Sequence, residues 1–229
     1  SGHDLILTLD LKIQQAMEDV TANVARGAAV AIDPRDGEIL AMVSRPAFDP
    51  NEFARGLSRR RWSELSSGGS NPLLDRAIQG GYPPGSTFKI VSMLAALRSG
   101  LAGPTTRFQS CAGKYFFGGR SFGCWKPTGH GSLDFVEALQ HSCDVYFYQL
   151  AVAMGIDNLS SGLTAFGFGA PTGLDIAGEQ SGIVPSPEWK KRNFSRREDQ
   201  VWFPGETVIT GIGQGYVLVT PIQLASAGA

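Results

Sequence analysis

Apolar residues recur at helical spacing at Ile13, Met17, Val20 and Val24, behind an Asp10 suited to N-capping and ahead of Gly27, so the chain's first element is predicted as a helix over residues 10–24. Residues 28–32 and 38–43 are short apolar runs joined by Asp33-Pro34-Arg35-Asp36-Gly37, which predicts a β-hairpin. Residues 44–80 turn polar and are expected as an exposed connection. Within it Ser66-Ser67-Gly68-Gly69-Ser70 has the composition of a flexible joint, and Arg59-Arg60-Arg61 reads as a solvated helix face before it reads as a grip on an acidic partner. The run Ile90-Val91-Ser92-Met93-Leu94-Ala95-Ala96-Leu97 predicts a buried helix. Residues 102–131 are rich in glycine and aromatics. Helices follow from Ser132, with Leu133, Val136 and Leu139 on one face, and from Asp144 to Met154, closed by Gly155. A further helix is expected over 159–166, broken by Gly167-Phe168-Gly169, then a strand over 172–176 and a loop at Pro185-Ser186-Pro187. Thr220-Pro221 is an N-cap and N1 pair that opens a last helix. Helices interleaved with hairpin strands argue for an α+β fold class.

At 229 residues, 42% hydrophobic and a net charge of −1, the chain is expected to form one ordinary soluble domain, with no basic excess for nucleic acid or an anionic membrane surface. No run approaches a membrane span, and Ser1-Gly2-His3 does not open a signal peptide, so the chain reads as an excised soluble piece.

Chemistry enters at Pro83-Pro84-Gly85-Ser86-Thr87-Phe88-Lys89. The prolines and glycine stop one segment and the apolar run sustains the next, which puts Ser86 in a first helical turn with Lys89 above it on the same face. A serine hydroxyl needs a base at neutral pH, and a lysine held out of water can be that base, while the positive helix end favours the alkoxide. Ser-x-x-Lys also occurs by chance on many helices, so the pair gains weight only from other motifs.

The cysteines are Cys111, Cys124 and Cys143, with His130 between the last two. Three thiolates and one imidazole make a closed tetrahedral Zn²⁺ set, and binding a metal would offset the ordering entropy of a Gly-rich stretch with little core of its own. The alternative is a disulfide between Cys111 and Cys124 with Cys143 as a buried thiol. A metal held by four protein ligands has no open position, so its role would be structural. His3 and His141 have no comparable setting; His141 reads as a helix-flanking residue.

Pro-Pro-Gly-Ser-Thr-Phe-Lys, then Ser142-Cys143-Asp144, then Gly211-Ile212-Gly213-Gln214-Gly215-Tyr216 with Thr220-Pro221-Ile222-Gln223-Leu224-Ala225, resembles the transpeptidase domain of class B penicillin-binding proteins, and within them the elongation-specific, penicillin-binding protein 2-like branch that maintains rod shape. The likeness spans essentially the whole chain. It implies a penicillin-binding and serine β-lactamase-like fold: an antiparallel sheet flanked by helices, the site between sheet and helical part.

The resemblance makes Ser86 the nucleophile and Lys89 its first base. Ser142 stands where a family serine relays a proton to the leaving amine, and Asp144 where the family commonly has asparagine, which leaves the division of base duties among Lys89, Ser142 and Asp144 open. Ser142 and Asp144 would also serve simply as caps of the next helix. Gly213, Gln214 and Gly215 would shape the substrate cleft, or form a tight turn without substrate contact. Some relatives carry zinc in the region matching 102–143, with a ligand inside the second motif, which here is Cys143.

The family's Lys-Thr/Ser-Gly strand does not occur in this sequence. The chain is accordingly expected to be a transpeptidase domain fragment over 1–229, without the membrane anchor, the pedestal and the C-terminal strands, and 102–143 a candidate zinc-binding insert within it. Loss of one oxyanion donor alone costs about 3 to 4 kcal/mol, so this piece is expected to be a weak or inactive catalyst.

The implied function is cross-linking of peptidoglycan stem peptides through a serine acyl-enzyme, with β-lactam antibiotics trapping the acyl form and no cofactor in the chemistry. Partners implied are the cell-elongation glycosyltransferase and shape complex, at the periplasmic face of the bacterial inner membrane. The rivals are a serine β-lactamase or D,D-carboxypeptidase, and a non-catalytic β-lactam sensor or scaffold.

Overall fold

The computed structural model describes residues 3–229. They form two compact units, each assembled from separate stretches of chain. The first comprises residues up to Gly81, Pro171–Gln180 and Thr220–Ala229. Its first helix, α1 (Leu11–Thr21), starts where expected, because Asp10 accepts from the Lys12 and Ile13 N–H groups at 2.8 and 3.1 Å. It ends three residues before the expected Val24, and Val20 and Val24 stay exposed. The helix is held against the hairpin by polar contacts: the Gln14 amide donates to Met42 O and accepts from Met42 N–H.

The hairpin pairs β1 (Gly27–Ile32) with β2 (Ile39–Arg45) antiparallel, from Gly27 opposite Arg45 to Ile32 opposite Ile39, with a bulge at Ala31 and Ile32. The expected exposed connection contains two helices, α2 (Asn51–Arg55) and α3 (Arg59–Ser67). Arg61 of the arginine run is tied to Glu52 at 2.6 and 2.9 Å, which joins them. The Ser-Gly stretch is no free joint: Ser66 and Ser67 close α3, Gly69 O accepts from Arg26, and Ser70 O accepts from the buried Arg76 at 2.8 Å.

Residues 172–176, expected as a strand, form none. Thr172 N–H bonds the Glu179 carboxylate instead of a neighbouring strand, and Leu174 packs on a core of Ala77, Ile78 and Ile222 with Ala28, Val30, Ile39 and Met42. Ile222 comes from α9 (Pro221–Gly228), whose N-cap Thr220 exchanges hydrogen bonds with Gln223 as a capping box.

The second unit comprises Tyr82–Ala170 and Ser181–Val219. At its centre α4 (Lys89–Arg98) packs on α6 (Asp144–Ala165), a close crossing in which a Cβ on Gly162 would stand 2.4 Å from that of Ala95. Gly155, with φ of 71° and ψ of 162°, interrupts α6 where a helix end was expected. A capping box between Asp134 and Glu137 opens α5 (Phe135–Gln140) just ahead of the second motif.

The glycine-rich stretch contains a ribbon that periodicity did not predict, β3 (Lys114–Phe117) paired antiparallel with β4 (Arg120–Gly123). Its aromatic residues Tyr115 and Phe122 lie against Tyr148 of α6. Two short helices, α7 (Pro187–Asn193) and α8 (Pro204–Thr210), follow Pro185, and α8 packs on α6.

Candidate active site and metal centre

Ser86 sits in a 3₁₀ turn, Gly85–Phe88, that runs directly into α4, so Lys89 opens the α-helix one turn after it. The two residues have opposite surroundings. Ser86 is exposed, while Lys89 is fully buried beside Phe147, 5.5 Å from its ring centre. A buried ammonium is tolerable only when its protons are bonded. Lys89 Nζ donates to Ser142 O at 2.8 Å, Ser142 Oγ at 3.0 Å and Asp144 Oδ1 at 2.6 Å. The lysine of the first motif and the serine and acid of the second therefore form one hydrogen-bonded cluster, with Ser142 half-buried and the other two buried.

Ser142 adopts a left-handed backbone at φ of 48°, a conformation that costs a non-glycine residue roughly 1 kcal/mol or more. Its N–H donates to Leu139 O at 2.9 Å, and its carbonyl takes bonds from Lys89 and from the Trp125 indole, the latter at 3.2 Å. Asp144 is the first residue of α6, where a carboxylate is favoured by the helix end. Its second oxygen accepts the Trp125 backbone N–H at 3.0 Å. Trp125 is a residue of this cluster that the sequence did not point to. It belongs to no motif, and its only signal is adjacency to Cys124.

Gly213 and its neighbours brace the turn that carries Ser86. Gly85 N–H donates to Gly213 O at 3.0 Å, and Ser92 of α4 donates to Gly211 O at 3.0 Å. Gly213 has φ of 70°, and a Cβ there would stand 2.5 Å from Gly85 O and 2.6 Å from Phe88 Cβ, so only glycine fits. Gln214 and Gly215 are exposed.

Cys111, Cys124, His130 and Cys143 bring their ligand atoms within 4.8 Å of one another. All three cysteines are free thiols, those of Cys111 and Cys143 buried. His130 Nδ1 lies 3.5 Å from Cys124 Sγ and 3.8 Å from Cys111 Sγ, while its buried Nε2 has no partner among the described residues. Tetrahedral zinc with Zn–S of about 2.3 Å and Zn–N of about 2.0 Å requires S···N edges of about 3.5 Å. The donor set therefore fits that ion.

The backbone is drawn tightly around the four ligands. Cys111 and Gly131 exchange hydrogen bonds at 2.8 and 3.1 Å, Cys124 N–H bonds Gly113 O at 2.9 Å, and a Cβ on Gly129 would fall 2.0 Å from Cys111 O. Burial pushes the Cys143 thiol far above its ordinary value, a penalty that a bound cation would reverse by holding the thiolate.

Residues 27–229 match the penicillin binding protein transpeptidase domain. The chain is 43% identical over 228 residues to the peptidoglycan D,D-transpeptidase MrdA of Escherichia coli K12, covering 99% of this chain and 35% of that protein, so it spans about a third of the relative's length. It superposes on Pseudomonas aeruginosa PBP2 in complex with WCK 5153 with a TM-score of 0.91 and 43% identity, over 99% of this chain and 48% of that one. Helicobacter pylori PBP2, in its complex with MreC, matches with a TM-score of 0.86 and 37% identity over 94% of this chain and 40% of that one.

Proposed function

The chain belongs to the penicillin-binding protein transpeptidase family, and from that premise we propose that Ser86 is the nucleophile of a peptidoglycan D,D-transpeptidase. The observation that carries this reading is the fully buried Lys89, bonded to Ser142 and Asp144 one helical turn from an exposed Ser86. Ser86 Oγ attacks the carbonyl of the penultimate D-Ala of a stem peptide and expels the terminal D-Ala, and an amine of a neighbouring strand then takes the acyl group.

Lys89, its nitrogen held by Asp144 at 2.6 Å and Ser142 Oγ at 3.0 Å, is the base that receives the Ser86 proton. Ser142 Oγ, bonded to the same nitrogen at 3.0 Å, delivers a proton to the departing amine. The Ser86 N–H, near the positive end of α4, is one oxyanion donor. β-Lactams stop the cycle as the acyl-enzyme.

The same reading assigns the full-length protein to cell elongation and rod shape, with a glycosyltransferase and the shape complex as partners. The relative whose structure is a complex with MreC supports that assignment. A peptidoglycan substrate would put the full-length protein at the periplasmic face of the inner membrane, with an anchor holding it there; among the described residues no helix is long and apolar enough to cross a membrane. Fluorescent penicillin incubated with the full-length protein is expected to label Ser86 stoichiometrically, and Ser86→Ala to abolish labelling. A parent protein left unlabelled would refute the assignment.

Cys111, Cys124, His130 and Cys143 would hold Zn²⁺, which would supply structure and no Lewis-acid chemistry, since the four residues fill a tetrahedron. Two of the ligands, Cys124 and Cys143, directly precede Trp125 and Asp144, the two ends of one hydrogen bond at the lysine cluster. Metal analysis is expected to give one zinc per chain with no disulfide, and chelation to lower the unfolding temperature. One disulfide and a single free thiol without metal would overturn the zinc assignment.

A further inference from the structure

Of the charged run Lys190-Lys191-Arg192, Lys191 and Arg192 are exposed while Lys190 is 3% exposed. Its ammonium donates to Val201 O at 2.7 Å and Glu206 Oε1 at 2.5 Å. It also lies over four rings: Phe203 at 5.2 Å, Tyr216 at 5.4 Å, and Phe194 and Trp202 at 6.0 Å. Tyr216 is the ring common to the cage, packed on Trp189, Phe194 and Trp202. A buried ion pair of this kind is weak evidence for stability, because apolar replacements often do as well, and such a pair can instead serve to fix one arrangement.

The two groups that Lys190 grips lie on either side of one turn. Glu206 is in the first turn of α8, where its other oxygen accepts the Phe203 N–H at 2.9 Å, and α8 ends at Thr210, immediately before Gly211. Tyr216 immediately follows Gly215. Between them lie the two carbonyls that hold the nucleophile's segment: Gly211 O on Ser92 and Gly213 O on the Gly85 N–H. We propose that Lys190 is a positioning residue for Ser86, clamping both ends of the 211–215 turn so that Gly213 fixes the backbone on which Ser86 and its oxyanion-binding N–H are carried. A small displacement of that N–H would cost acylation rate more than binding.

The inference rests on the reading of Ser86 as the acylated nucleophile, and its test separates the two. In the full-length protein, Lys190→Met with Glu206→Gln removes both charges while keeping a side chain able to cap α8, so no uncompensated ion is left in the core. β-Lactam acylation is followed over a concentration series, and amide hydrogen exchange is read at Gly85–Phe88 and over 211–217. The double variant is expected to keep its unfolding temperature within a few degrees, to lose about tenfold in the saturating acylation rate constant at unchanged half-saturation, and to exchange faster in both segments. An unchanged rate constant, or exchange that rises evenly across the protein, would sink the clamp. Failure of the parent protein to acylate would instead sink the reading of Ser86, and the exchange at Gly85 would still decide whether Lys190 holds the turn.

Discussion

Asp144 uses both of its carboxylate oxygens. One accepts from Lys89 at 2.6 Å and the other from Trp125 N–H at 3.0 Å, so the position needs an acceptor on both sides. An amide has one acceptor; its NH₂ would face either an ammonium or a backbone N–H. Asp144→Asn is therefore expected to destabilise the protein by about 1–3 kcal/mol, read as a lower unfolding temperature. An unchanged temperature would show that Trp125 does not need this partner. The helix start that carries Ser86 and Lys89 was legible in the sequence from local geometry, and a short motif pointed to Ser142, which meets Lys89. Trp125 and Lys190 were not legible there. Both act through partners far away in sequence, and Lys190 sits in a charged run whose other members are solvated, as a charge run usually is.

At the scale of elements, the crossing of α4 and α6 carries the site, since Lys89 opens one helix and Asp144 the other. Gly162 lets the two approach, and Gly162→Ala would press a methyl group to 2.4 Å from Ala95 Cβ. The expected cost is about 1–3 kcal/mol, with a fall in penicillin labelling as Lys89 and Asp144 are pushed apart. A variant as stable and as readily labelled as the parent would mean that the crossing is looser than drawn. Elements announced by caps were read correctly: α1 by Asp10, α9 by Thr220-Pro221, the break in α6 by Gly155. The ribbon of β3 and β4 and the helices α7 and α8 were missed. They are four to seven residues long, too short to show a period, and packing decides them.

For the molecule as a whole, each unit is closed by distant segments. The first depends on α9, whose Ile222 completes the core with Ala77 and Ile78 on the hairpin. Ile222→Ala is expected to cost about 2–5 kcal/mol, and denaturant unfolding followed by probes in each unit would locate the loss. A change of under half a kcal/mol would mean that α9 is dispensable to this core. The strand expected over 172–176 failed at this scale, since a strand exists only if a neighbour supplies its hydrogen bonds, and here a side chain took the bond instead.

By itself the sequence determined the residue types with rare chemistry and the places where backbone must start, stop or turn. Ser86 before an apolar run, three cysteines and a histidine in a glycine-rich stretch, and Gly213 in its turn all follow from local geometry and from what those side chains can do. Only the tertiary structure decided which groups meet. It brought Lys89 to Ser142 and Asp144, drew four ligand atoms within 4.8 Å, left Leu11, Ile13 and Val20 of α1 exposed, and buried Lys190 among aromatic rings. The physical reason is burial. A charge or a thiol behaves differently once water is removed, and the removal of water is a property of packed segments, not of any one of them.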